Sequence, residues 1–179
     1  MSPLLVAAAA SAALGLQGAT ELPTRASPCR VAQLAATITR SPSPKTGQEP
    51  TAVVLHNRSR TACSLFGYAL VQLRDRSGAL PFVVADRGDQ MVTSARPARV
   101  LLAPGRDAFI LFNKFRCDLG SRRVATTALI RLPNTPRGQP LRIRLPRYPI
   151  VAYCGSGDPG SVLSVSPFEA SFDATTSLR

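Results

Sequence analysis

The chain contains no tryptophan, a single histidine, two lysines and no Cys-x-x-Cys pair. Each shortage excludes something. Without Trp, the antibody-type core, in which a Trp packs against an inter-sheet disulfide, cannot be built. One histidine among scattered acids does not make a transition-metal site. The absent Cys-x-x-Cys removes the usual zinc and thioredoxin-like arrangements. Aromatic residues are 6% of the chain, too few to provide stacking platforms for single-stranded nucleic acid, so no nucleic-acid partner is expected. There is no G-x-G-x-x-G and no P-loop, because "GSGDPGS" follows Cys154 and has neither the lysine nor the helix that a phosphate cradle needs. A G-x-S-x-G nucleophile turn is also missing. The longest apolar run, residues 4–16, is too short to cross a bilayer as a helix.

Positive charge is in excess. Twenty-two basic residues face ten acidic ones, for a net charge of +12, and only Lys45 and Lys114 of the basic set are not arginine. Abundant Ala, Arg and Pro fits the codon bias of a GC-rich genome. The physical consequence is attraction to polyanions.

The first 19 residues carry no charged side chain, and their Ala-rich run reads as the core of a secretory signal peptide, although no basic residue precedes it. No cysteine follows closely enough to carry a lipid. The expected organisation is a signal peptide over 1–19, a lead-in over 20–28, one domain over 29–168 and a tail over 169–179. Cys29, Cys63, Cys117 and Cys154 stand 34, 54 and 37 residues apart. Four isolated cysteines behind an export-like segment predict two disulfides in an oxidising compartment. Three pairings are open. The sequential one, Cys29–Cys63 with Cys117–Cys154, is favoured and would close two loops, each restricting the unfolded chain by about 4 kcal/mol.

Beyond residue 40 no strong amphipathic helix appears, and the chain reads as short strands between turns. "TAVVLHN" is rich in β-formers. "GYALVQLRD" alternates, with Ala69, Val71 and Leu73 on one face. "DRSG" is a turn, "LPFVVADR" a short strand, and "ARVLLAPGRDAFILFNKF" a hairpin about Pro104-Gly105. "VATTALIRL" is a further strand. "LRIRLP" turns Leu141, Ile143 and Leu145 inward and Arg142 and Arg144 outward, and "VLSVSPF" is the last strand. Seven to eight such strands with sixteen prolines predict an all-β fold, an antiparallel immunoglobulin-like β-sandwich, with a closed barrel as the alternative.

Candidate chemistry is sparse. His56 and Cys63 lie across a turn, but a nucleophile needs a thiolate, which an oxidised Cys63 cannot supply. His56 reads as an outward side chain at a strand end. Asp75, Asp86, Asp89 and Asp107 read as solvated turn acids, and the Arg-Gly-Asp at 87–89 as a chance match. Phe109, Phe112 and Phe115 are expected in the core. No catalytic residue, metal site or cofactor is predicted. Arg131, Arg142, Arg144 and Arg147 could line the solvent face of two adjacent strands as an anion-binding stripe.

The ordered set "CRVAQL", "LHNRSRTACSLFGYALVQLRDRSGALP", "LLAPGRDAFILF", two later cysteines and "VSPF" resembles the actinobacterial exported family called domain of unknown function 4232, over about residues 29–168. Members commonly carry Pro where Ala69 stands. The resemblance implies a secreted or cell-envelope β-sandwich from a Gram-positive, GC-rich bacterium, often a lipoprotein, with Cys63 structural; it implies no activity. The expected function is therefore a non-enzymatic envelope binding or structural module. Its partner would be an anionic envelope component or an extracellular protein. The alternative is an inhibitor or regulator of an extracellular hydrolase acting through loop 41–50 or 133–140.

Overall fold

The computed structural model describes residues 26–39, 41–117, 122–147 and 150–178. The predicted signal peptide and most of the lead-in lie outside them. The described residues form thirteen strands: β1 (Leu34–Thr39), β2 (Thr51–Asn57), β3 (Cys63–Leu65), β4 (Leu70–Asp75), β5 (Gly78–Ala79), β6 (Val83–Ala85), β7 (Val100–Leu102), β8 (Asp107–Asn113), β9 (Arg123–Val124), β10 (Thr127–Arg131), β11 (Leu141–Arg144), β12 (Ala152–Tyr153) and β13 (Val162–Val165). Three single-turn 3-10 segments complete the set, Val31–Gln33, Pro159–Ser161 and Asp173–Thr175. The chain is all-β, as expected, but with more strands than seven or eight.

Two sheets dominate. One runs β1-β2-β8-β13-β6 and the other β11-β10-β4-β5; β12 pairs with β9 and β3 with β7 in two small ladders. All ladders are antiparallel except β13 with β6. The two large sheets share one core. Leu34, Val53, Leu55, Ile110, Phe112 and Val165 come from the first, and Val71, Leu73, Ala128, Ile130 and Ile143 from the second. The alternation of β4, β10 and β11 delivers these residues, because successive side chains point to opposite faces. Strand β2 is apolar on both sides for a different reason. Its second face, where Ala52 stands opposite Leu111 of β8, is covered by Val92 and Phe172. The covering segments are tied together, Thr93 N–H donating to Thr175 O at 3.0 Å and Ser177 N–H to Met91 O at 3.0 Å.

The disulfides are Cys29–Cys63 and Cys117–Cys154, the sequential pairing. Cys29 and Cys63 are buried in the shared core.

Three local readings need correction. The turn at Pro104-Gly105 is real, closed by Arg106 N–H to Ala103 O at 3.1 Å with Gly105 at φ 71°, a value that favours glycine. The flanking runs do not pair, however. β7 joins β3, while β8 lies between β2 and β13. The proposed strand over 124–132 is broken at Ala125-Thr126 into β9, which pairs with β12, and β10, which joins the four-stranded sheet. Of the three phenylalanines only Phe112 is fully buried. Phe109 meets Phe172 edge-on on the covered outer face, and the Phe115 ring lies over Gly47.

Candidate functional site

With Cys63 oxidised and fully buried, no thiolate stands near His56. All four cysteines are paired. His56 projects outward, as expected, and its Nδ1 lies 2.7 Å from Asp107 Oδ1 in the directly opposed cross-strand position of β8. Both side chains are exposed, so the pair sits on the surface rather than in a cleft. Among the described residues no three of His, Cys, Asp and Glu converge on one point.

The acids are mostly engaged in holding turns. Asp75 Oδ1 accepts from Ser77 N–H at 2.8 Å, Ser77 Oγ–H at 2.7 Å and Gly78 N–H at 3.0 Å, and Arg123 pairs with the carboxylate at 2.9 Å. The hydrogen bond from the Ser77 side chain, then those from Arg123 and the Ser77 backbone, hold its pKa below the usual carboxylate value. Asp89 belongs to the Arg-Gly-Asp triplet. Its Oδ1 accepts from Met91 and Val92 N–H at 2.7 and 2.8 Å, and its Oδ2 accepts from the buried Asn113 Nδ2 at 2.8 Å. Gly88, at φ 72°, is wedged so close to Thr93 O that a Cβ would come within 2.7 Å. The triplet is thus part of a fixed turn, and its carboxylate is committed within the chain. Burial raises the pKa of Glu169. Burial also raises that of Tyr68, helped by Asp86 and Glu169.

One polar hub was not visible in the sequence. Asn57 is fully buried at the end of β2. Its Nδ2 donates to Thr61 O and Leu102 O, both at 2.9 Å, and its Oδ1 accepts from Ser59 N–H at 3.0 Å. Its backbone N–H donates to Arg106 O and its carbonyl accepts from Gly105 N–H. One residue therefore fixes the turn after β2 and the end of β7 through its side chain, and the β7–β8 turn through its backbone.

The arginine stripe is partly assembled. Ladder register puts Thr127 opposite Arg144 and Leu129 opposite Arg142 on one side, and opposite Arg74 and Gln72 on the other; Arg131 faces Leu70. Ala128, Ile130, Leu141 and Ile143 are buried in the core. Thr127, Leu129, Arg131, Arg142 and Arg144 therefore share the opposite, outer face. Arg74 joins them, since its neighbours Val71 and Leu73 point inward. The face thus carries Arg74, Arg131, Arg142 and Arg144, and no described carboxylate bonds to any of them. Across the three strands, Arg144 and Arg74 stand about 10 Å apart at the backbone. Arg147 lies beyond the end of β11, past Pro146, and is not in these rows. Arg74 was missed although the alternation of "GYALVQLRD" already placed it outward. What was lacking was the knowledge that β4 lies beside β10.

The loops are well tied. In loop 41–50, Ser41 Oγ accepts from Ala52 N–H at 3.2 Å, Glu49 N–H donates to Lys114 O at 2.9 Å, and Arg116 N–H donates to Gly47 O at 2.7 Å. The buried Lys114 ammonium closes the base on Glu49 at 2.8 Å. In loop 133–140, Asn134 Nδ2 donates to Cys29 O at 3.3 Å and Gly138 N–H to Thr135 O at 2.9 Å.

No helix among the described residues is long and apolar enough to cross a membrane. No curated protein and no solved structure matches the chain at a significant level. One family does match, over residues 29–169, which is most of the chain and begins at the first disulfide cysteine. The chain therefore belongs to the family described as Domain of unknown function (DUF4232).

Proposed function

We propose that the chain is an exported, non-enzymatic binding module, an immunoglobulin-like β-sandwich whose basic sheet face holds an anionic polymer of the cell envelope. The observation that carries this reading is the group of four guanidinium side chains, Arg74, Arg131, Arg142 and Arg144, on one outer sheet face with no carboxylate partner among the described residues. A guanidinium grips carboxylate, sulfate or phosphate through a planar fork. One such contact in water is weak. Several at fixed spacing on a rigid sheet add through effective concentration. Two disulfides and an uncharged N-terminal stretch fit an oxidising, extracellular setting. With both cystines formed, no described cysteine is left as a thiolate nucleophile.

Retention on immobilised dextran sulfate tests this. The wild type should bind at low ionic strength and elute as salt rises. The double variant Arg142→Glu, Arg144→Glu should elute distinctly earlier. Equal retention of the two proteins, or none at low salt, would refute the reading.

Loop 41–50 favours a second reading, inhibition of an extracellular hydrolase. Its tip, residues 43–46, is exposed while both flanks are hydrogen-bonded, the pre-organised presentation that lowers the ordering cost of binding. A screen against secreted proteases and glycosidases decides it: unaltered rates with the protein in excess eliminate this reading.

A further inference from the structure

We propose that the open edge of β6 accepts an added strand from an extended acidic segment of another protein. β6 is the last strand of the five-stranded sheet and is hydrogen-bonded on one side only, to β13. Folded proteins usually defend such an edge by keeping it short or with a charge, a bulge or an internal proline; β6 has three residues, Val83–Ala85, and none of the other three devices within it. Here Pro81 stops short of the strand, and the strand itself presents Val83 at 64% exposure and Val84 at 48%.

A depression flanks each face of this edge. Beside Val83 is one of about 190 Å³, walled by Pro81, Tyr153 and Val162. Beside Val84 is another of about 260 Å³, walled by Leu70, Gln72, Arg131 and Pro136. Consecutive strand residues point to opposite faces, so the two depressions lie on opposite sides of the edge. An incoming strand would bond its backbone to β6 and drop alternate side chains into each. This is the geometry of strand addition, in which main-chain bonds give affinity and alternating pockets give selectivity.

Charge selects the occupant. The Val84 side contains Arg131, which has no carboxylate partner among the described residues. The Val83 side is apolar apart from Ser156, Ser161 and Asp158, and the Asp158 carboxylate already accepts from Gly160 N–H at 2.7 Å. The fitting segment therefore alternates acidic residues toward Arg131 with apolar residues toward Val83 and Val162. A second copy of the chain fits poorly. It would bring another Arg131 to the same side and set two chains of net charge +12 against each other.

The test uses a short fluorescent peptide of alternating Val and Glu and the intact disulfide-bonded protein. Saturable binding is expected. It should weaken by at least about tenfold when alternate amides are N-methylated to remove main-chain bonds, and likewise in Val83→Lys. Arg131→Glu should transfer preference to an alternating Val–Lys peptide, and it keeps the claim testable if Val83→Lys fails to fold. No binding, equal binding of the N-methylated peptide, or undiminished binding by a folded Val83→Lys would overturn the proposal. So would a dimer of the wild type that Val83→Lys dissociates, because the edge would then belong to a second copy. Arg131 belongs to both surfaces, so the N-methylated peptide separates the two proposals: it keeps every charge that the arginine face could hold and loses only the main-chain bonds to β6.

Discussion

Leu129 stands directly across the β10–β11 ladder from Arg142, on the solvent side of the sheet, yet is only 4% exposed. Its row continues to Gln72 on β4, and the flanking rows hold Arg144 with Arg74 and Arg131 with Leu70. Arginine stems lie along apolar surface while their heads stay in water. The arginine stems beside Leu129 in the ladder, Arg142 first, are therefore the side chains expected to roof it. Packing and charge separate by substitution. Arg142→Ala should cost about 0.5–1 kcal/mol in urea unfolding by opening that roof. Arg142→Met should keep most of this stability while losing polymer retention to the same degree as Arg142→Ala.

The Cys29–Cys63 bridge joins the start of the domain to β3, where Cys29 N–H also donates to Ser64 O and Ser64 N–H to Ser27 O, each at 2.9 Å. Replacing both cysteines by serine should cost about 5 kcal/mol or more, about 4 from the freed loop and the rest from two hydroxyls left in an apolar core. Denaturant midpoints of the wild type and the double variant check the figure.

Asn57→Ala should destabilise by about 2–4 kcal/mol, because it takes the side-chain donor from the buried Leu102 carbonyl, one of two donors from the Thr61 carbonyl, and the acceptor of Ser59 N–H. Asn57→Asp should be no better, since a carboxylate cannot donate to a carbonyl. Urea unfolding of both variants measures this, and near-wild-type stability in Asn57→Asp would contradict the role assigned to the amide.

Two carboxylates act in opposite senses with pH. Asp75 has a folded pKa below its ordinary 3.8. The stability it adds is complete above 3.8 and is lost as the pH falls through the depressed value. Asp75→Asn should therefore lower the melting temperature at pH 7 and narrow its gap from the wild type in strong acid. Glu169 has a folded pKa raised above 4.5 by burial. Its ionisation opposes folding as the pH rises through 4.5 toward that raised value, and the penalty persists above it. Glu169→Gln should melt higher than the wild type at pH 7 and level with it well below pH 4.5. Thermal melts across that range give both curves.

Much of the fold can be read from local periodicity. "TAVVLHN" coincides with β2, and "LRIRLP" buries Leu141, Ile143 and Leu145 while exposing its arginines. Period-two alternation is a property of the strand itself and needs no knowledge of its neighbours. Partner choice is different. "LLAPGRDAFILF" has every local sign of a hairpin, yet β7 pairs with β3 and β8 with β2, because the strands are placed by ladders far apart in sequence. The same blindness hid Arg74. It belongs to the basic face only because β4 lies next to β10. It hid Asn57 and Lys114 as well, a polar and a charged residue whose burial depends on partners elsewhere in the chain.

A backbone-amide NMR titration with a sulfated oligosaccharide locates the binding face most directly. Shift changes should concentrate on β4, β10 and β11 around Gln72, Arg74, Leu129, Arg131, Arg142 and Arg144 and collapse on adding salt. Changes confined to β3, β7 or loop 41–50, or no change at low salt, would contradict the assignment of the arginine face as the functional surface.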